Sequence, residues 1–189
     1  MNIDRIILDA GHGPSNGHGG IYDPGAIGCF HSEHEMVSEV AKRVAGMMIP
    51  LVEVVRVPEL PLRDVVAWVN REAGPGDVLF SLHMNAAETP AASGVEVLIA
   101  LASPAERRAE ALLLARELSQ TLRLKNRGLK FDVESVKGAG RGLPIVRDTS
   151  CPAFLLEMGF ISNPNDVAAV EARGAEAIRN AVLALKEEG

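Results

Sequence analysis

Four side chains able to do chemistry lie far apart in the sequence: His12, Glu33, His83 and Glu157. His12, His83 and Glu157 each come where a short apolar run ends, as at the end of a β-strand. Two imidazoles and one carboxylate are typical of a catalytic zinc site that leaves a fourth position for water. Zinc lowers the pKa of such a water to about 7 and polarises a substrate carbonyl. We therefore predict a zinc-hydrolase site with His12, Glu33 and His83 as ligands, and Glu157 as the group that takes the proton from water and passes it to the leaving nitrogen.

The third ligand has to be chosen between Glu33 and Glu35. Ser32 followed by Glu35 fits the S-x-x-E capping box, which gives Glu35 a structural role at the start of a helix. Glu33 falls on the apolar face of that helix, and a carboxylate that points inward must be paired or bind a metal. The pattern favours Glu33, with Glu35 as the alternative.

Three further histidines lie near this segment, at His18, His31 and His34. They do not form the HExxH or HxxEH patterns in which a helix presents zinc ligands. We interpret all three as loop or surface residues.

Strand and helix patterns alternate along the chain. Strands are predicted at 5–9, 51–57, 78–83, 94–101 and 153–157, and helices at 33–48, 62–72, 104–124 and beyond 157 as far as Lys186. Residues 10–31 predict a long loop, which in a compact domain is usually functional, and residues 126–143 a loop with room for a short edge strand. This alternation predicts a single α/β domain over residues 1–189 with a largely parallel sheet, and ligands gather at the carboxyl ends of the strands of such sheets.

Composition narrows the classes of function. The net charge is −6, and basic residues do not cluster with aromatic ones, so a nucleic-acid partner is not expected. The N-terminus lacks the basic start and long apolar run of a signal peptide, and a run of roughly 20 apolar residues, which a membrane span needs, does not occur. Cys29 and Cys151 match no CxxC spacing, so we expect plain thiols, with a redox or metal role for Cys29 left open.

At these residues the sequence resembles the zinc-dependent N-acetylmuramoyl-L-alanine amidases of bacterial cell walls and phage lysins. The matching stretches run in the family's order and cover almost the whole chain: LDAGHG (8–13), DPGAIG (23–28), the helix opening at Glu33, SLHMNA (81–86), GVEV (94–97) and LEMGFISNP (156–164). The resemblance implies that His12, Glu33 and His83 bind zinc and that Glu157 is the catalytic carboxylate. It also implies a twisted, mixed sheet of about six strands flanked by helices. The segment CFHS (29–32) departs from the family's usual form.

The resemblance implies a reaction as well as a fold: hydrolysis of the amide between the lactyl group of N-acetylmuramic acid and the first L-alanine of the stem peptide. Its substrate would be peptidoglycan, outside the cytoplasmic membrane, and we expect the enzyme to be a monomer. Without an export signal, release in the manner of a phage lysin, action after mother-cell lysis and origin as a domain of a longer protein all stay open. Two rival hypotheses are a zinc amidohydrolase for another N-acyl substrate and a non-catalytic wall-binding module.

Overall fold

The computed structural model describes residues 1–13, 21–135 and 138–187. In chain order its strands and helices are β1 (Arg5–Ala10), β2 (Ile27–Gly28), β3 (His31–Ser32), α1 (Glu33–Met47), β4 (Glu53–Arg56), α2 (Leu62–Glu72), β5 (Asp77–Asn85), β6 (Val95–Ile99), α3 (Ala105–Leu122), β7 (Asn126–Phe131), α4 (Pro144–Arg147), β8 (Ala153–Phe160) and α5 (Pro164–Glu187). Six strands form one sheet in the order β4-β1-β5-β8-β6-β7. All neighbours run parallel except β6 and β8. The predicted α/β class with a largely parallel, mixed sheet is confirmed.

The two faces of the sheet are covered unequally. Alternate residues of the central strands, such as Phe80 and Leu82, join a large core with the apolar faces of α1, α3 and α5. On the opposite face, Leu79 and its neighbours pack against the short helices α2 and α4 in a smaller core. Because side chains alternate along a strand, the residues that follow this smaller core on the same face include Ser81 and His83. The second face therefore changes from apolar to polar toward the carboxyl ends of its parallel strands.

Most of the predicted elements are present, with shifted ends. Helix α2 has the predicted bounds. Strands β5 and β8 continue to Asn85 and Phe160, so His83 and Glu157 lie inside strands, and their expected position at strand ends is wrong. The extension is built by pairing between the two strands, with a register shift after His83.

The region from 126 to 143 is more regular than its sequence predicts. Strand β7 is an edge strand paired with β6, and a 3₁₀ turn follows at Asp132–Glu134. The carboxylate of Asp132 accepts hydrogen bonds from the amides of Leu101 and Leu143, at 3.0 and 2.9 Å. Helix α4 was not predicted, because its four residues are too few to show a helical period.

The long loop before α1 contains ordered structure. Gly13 and Asp23 exchange backbone hydrogen bonds of 2.9 and 3.0 Å, and β2 pairs with β3 as a hairpin. The predicted loop residue His18 lies outside the described residues.

The hairpin turn is built from residues that rarely adopt its backbone conformation. Cys29 and Phe30 have φ values of 50° and 68°, where a two-residue turn usually has Asn-Gly. Cys29 packs against the large core, whereas Phe30 is fully exposed. The left-handed conformation costs roughly 1–2 kcal/mol for a residue other than glycine, and the exposed Phe30 ring does not recover that cost by burial.

We expect Phe30→Gly to stabilise the fold by about 0.5–1 kcal/mol, since glycine adopts this conformation without strain but loses more entropy on folding. Such a gain raises the melting temperature by about 2–4 °C per kcal/mol in a chain of this size. Phe30→Ala is the control, because it removes the ring and keeps the strain. Equal melting temperatures for the two variants would show that the turn is not strained.

Candidate metal centre

Three elements bring His12, Glu33 and His83 together. His12 follows β1, Glu33 is the first residue of α1, and His83 lies on β5. One ligand atom from each side chain lies within 4.8 Å of the other two. The structure thus places side by side the three residues that the sequence predicts as zinc ligands.

The Glu33 carboxylate lies between the two imidazoles. Its Oε2 is 3.0 Å from His12 Nε2, and its Oε1 is 2.8 Å from His83 Nδ1. The backbone amides of Ala26 and Met84 donate to the same two oxygens, at 3.0 and 3.1 Å. With only 2 % of the residue exposed, Glu33 is a buried carboxylate held by four polar groups.

Electrostatics keeps this carboxylate ionised. Burial raises the pKa of Glu33, but the hydrogen bonds and charges of His12 and His83 outweigh burial and hold that pKa well below its usual range. For His83, burial lowers the pKa, while Glu33, Glu157 and Asp9 together raise it. The site therefore offers a negative oxygen ligand flanked by two nitrogen ligands.

Asp23 orients the first histidine. His12 Nδ1 lies 2.8 Å from Asp23 Oδ2, so its Nε2 is directed at Glu33. The other oxygen of Asp23 accepts the amide of Gly25 at 2.9 Å. A carboxylate behind a ligating imidazole fixes the ring and makes it more basic. Asp23 was not predicted as a site residue, although it opens the DPGAIG stretch (23–28) that resembles the family.

Two glycines leave room for the ligands. A Cβ on Gly11 would lie 2.2 Å from Cε1 of His83. At Gly25, where φ is +69°, a Cβ would lie 2.6 Å from both Glu33 Oε2 and His12 Cδ2. Alanine at either position would push a ligand away, so these glycines are part of the site.

Glu157 lies beside His83 on the next strand. The two residues are direct partners in the β5–β8 register, so their side chains project from the same face of the sheet. Glu157 is half-buried, and its charge contributes to the raised pKa of His83. A carboxylate is thus available next to the three predicted ligands.

Glu35 has the structural role that its spacing predicts. Its Oε2 accepts Ser32 Oγ at 2.7 Å and the Ser32 amide at 3.3 Å, and Ser32 Oγ accepts the Glu35 amide at 3.4 Å. The capping box is confirmed, and the exposed Glu35 is not a member of the His12, Glu33 and His83 group.

The other histidines have different environments. His31 lies near the surface, with Nε2 3.4 Å from Glu171. His34 was predicted as a loop or surface residue, and this is wrong: it is buried on α1, with Nδ1 3.0 Å from the carbonyl of Gly11. Helix α1 places the His34 imidazole against the backbone of the loop that carries His12, and its contact with Gly11 supports that loop.

The cysteines take no part in this cluster. Cys29 and Cys151 are both free thiols, and each is partly buried. Burial raises the pKa of the Cys151 thiol.

Two nitrogen donors and one carboxylate fit the donor set of a catalytic zinc ion. An α/β fold with such donors is typical of metal-dependent hydrolases. More specifically, the chain belongs to the N-acetylmuramoyl-L-alanine amidase family, whose sequence pattern it matches over residues 6–184. The family resemblance seen in the sequence is confirmed.

Solved structures share this fold. An N-acetylmuramoyl-L-alanine amidase from Clostridium difficile 630 is 22 % identical, with a TM-score of 0.80 and full coverage of both chains (100 % of each). The amidase AmiC2 of Nostoc punctiforme is 23 % identical, with a TM-score of 0.76, over 97 % of this chain and 96 % of that one. The catalytic domain of CwlV from Bacillus (Paenibacillus) polymyxa var. colistinus is 24 % identical, with a TM-score of 0.74, over 95 % of this chain and 96 % of that one. A comparison with curated protein sequences finds no match.

The two glutamates near the start of α1 provide a matched pair of variants. We expect Glu33→Gln to lose bound zinc after dialysis, because a neutral amide is a poor zinc ligand. Glu35→Gln should keep zinc and lose only about 0.5–1 kcal/mol of stability at the helix cap. Metal analysis and thermal unfolding of both proteins check this. If Glu33→Gln retained zinc and Glu35→Gln lost it, Glu35 and not Glu33 would be the third ligand.

Asp23 should affect metal affinity without being a ligand. We expect Asp23→Ala to weaken zinc binding by about 10- to 100-fold, the usual effect of losing a carboxylate behind a ligating histidine. Asp23→Asn keeps an acceptor for His12 Nδ1–H and should lose less. Competition with a zinc-chelating dye measures both variants, and equal affinities in wild type and Asp23→Ala would remove Asp23 from the site.

Proposed function

We propose that this chain is a zinc-dependent N-acetylmuramoyl-L-alanine amidase in which His12, Glu33 and His83 hold one zinc ion and Glu157 transfers the proton. The observation that carries the proposal is the buried Glu33 carboxylate, contacted by both imidazoles at 3.0 and 2.8 Å, with Glu157 paired in register beside His83. Membership of the amidase family supplies the substrate: the amide between N-acetylmuramic acid and L-alanine in peptidoglycan.

The residues divide the chemistry between them. A zinc ion held by the three ligands would acidify a water ligand and polarise the scissile carbonyl. Asp23 holds His12 in the orientation that presents Nε2. Glu157 accepts a proton from the attacking water as the new C–O bond forms. It then delivers that proton to the amide nitrogen as the C–N bond breaks, which leaves a lactyl carboxylate and a free L-alanine amino group.

The proposed setting follows from the substrate. Peptidoglycan lies outside the cytoplasmic membrane, and we place the enzyme's action there. The described part of the chain contains no candidate membrane-spanning helix. All three proposed ligands and Glu157 come from one chain, which supports a monomeric enzyme with residues 1–189 as its catalytic domain.

Product analysis on purified sacculi tests the reaction. We expect the protein to release stem peptides with free L-alanine amino termini, and a chelator followed by added zinc to abolish and then restore the release. Products whose new amino terminus is not L-alanine would indicate a different zinc amidohydrolase. Retention on sacculi without any product would indicate a wall-binding module.

The role of Glu157 has its own test. We expect Glu157→Gln to lower turnover by about 10²- to 10⁴-fold, since the amide cannot accept the proton, while bound zinc stays unchanged. Glu176→Gln, an exposed position on α5, is the control for the loss of one negative charge. Wild-type turnover in Glu157→Gln would show that the proton passes through another group.

A further inference from the structure

The residues paired across the sheet at the proposed site form a row that continues beyond Glu157. His83 on β5 pairs with Glu157 on β8, and Glu157 pairs in turn with Glu96 on β6. Paired residues project from the same face, and neighbouring strands are about 4.8 Å apart. A second carboxylate therefore stands one strand away from the proposed proton-transfer group.

Both oxygens of Glu96 already accept hydrogen bonds. Asn85 Nδ2 donates to Oε1 at 2.9 Å, and Arg127 Nε donates to Oε2 at 2.8 Å. The residue is 8 % exposed. A buried carboxylate held from both sides is a fixed anchor for its partners and is poorly placed to act as a second base.

A β-bulge directs Arg127 into this row. Val95 pairs with Asn126 and Val97 with Leu129, so Arg127 and Gly128 together oppose Glu96. Gly128 has φ +79°, and its amide donates to Asn126 Oδ1 at 2.8 Å. Bulges of this kind bend a strand and redirect a side chain, often beside an active site.

The guanidinium of Arg127 is held by two contacts and still reaches the surface. Its Nε bonds Glu96, and its Cζ lies 4.9 Å from the centroid of the Phe160 ring. The side chain keeps 33 % of its surface exposed. Within the described part of the chain, these contacts leave the Nη edge of the guanidinium available to a further acceptor.

The charges of this row indicate what that acceptor is. His83 is followed across the sheet by the carboxylates of Glu157 and Glu96, and Arg127 ends the row with a positive charge. An anionic group near Glu157 would be repelled unless a cation held it. A guanidinium fork matches a carboxylate in shape and charge.

Building on the proposed function, we propose that Arg127 binds a free carboxylate of the stem peptide, on the residue that follows L-alanine. Two strand spacings place Arg127 about 10 Å from Glu157 along the sheet. Two residues of extended peptide span about 7 Å from the leaving nitrogen. The Arg127 side chain is directed toward Glu96, and this covers the remaining distance. The α-carboxylate of a second residue linked through its γ-carboxyl is the group at that distance.

The test uses a matched pair of soluble substrates, the γ-methylamides of N-acetylmuramoyl-L-alanyl-D-glutamate and of N-acetylmuramoyl-L-alanyl-D-isoglutamine, which differ only in the α-carboxylate. We expect the zinc-loaded wild type to have a KM about tenfold lower for the carboxylate substrate, as for one charge-assisted hydrogen bond, with similar kcat. Arg127→Gln should lose this preference, and Lys125→Gln, which removes an exposed positive charge two residues away, should keep it.

Because Arg127→Gln leaves Glu96 without its cation, the double variant Glu96→Gln/Arg127→Gln is measured as well. It keeps a polar pair and the net charge of the chain, and it should lose the same preference. A preference that persists in both variants, or no preference in wild type, would overturn the role of Arg127.

Calorimetry separates this inference from the proposed reaction. Binding of the two peptides to the zinc-loaded Glu157→Gln protein should show the same tenfold difference without turnover. If that difference is present but wild type hydrolyses neither peptide, the proposed reaction fails and the carboxylate site stands. If wild type hydrolyses both peptides equally and calorimetry shows equal affinities, the carboxylate site fails and the reaction stands.

Discussion

The structure of the site depends on one buried carboxylate. Glu33 is nearly inaccessible to water, and burying an ionised carboxylate without partners costs many kcal/mol. Two imidazoles and two backbone amides offset that cost, and they come from three separate segments of the chain. The loop after β1, the residue before β2 and the carboxyl end of β5 therefore have to meet the start of α1 at one point. The glycines at positions 11 and 25 are needed because these segments approach so closely.

The sheet explains why this meeting point lies outside the large core. Its first face is covered by three helices that build the large core. Its second face carries only the smaller core against α2 and α4, and beyond that core the row from His83 to Arg127 is polar. A row of polar side chains that crosses a sheet is stable where its members pair with one another and face water or a ligand. The proposed ligands, proton carrier and carboxylate-binding arginine thus share one physical setting.

Much of the fold could be predicted from local patterns. The apolar runs of β1 and β5, the capping box at Ser32 and the period of α2 each report burial or hydrogen bonding within a few residues. Patterns of this kind misplace strand ends, because pairing with a neighbour decides how far a strand continues. They also placed His34 at the surface, because a helix start beneath a loop from another part of the chain has no local signature.

The sequence by itself determined the class of fold, the family and the four residues His12, Glu33, His83 and Glu157 as the ones able to do chemistry. Residue type and motif order are properties of the chain before it folds, which is why they could be read directly. Only the tertiary structure decided that Asp23 stands behind His12, that Glu96 lies next to Glu157, and that a bulge directs Arg127 into the same row. These contacts join segments 11 to 61 positions apart, and strand register, which sets them, depends on packing across the whole sheet.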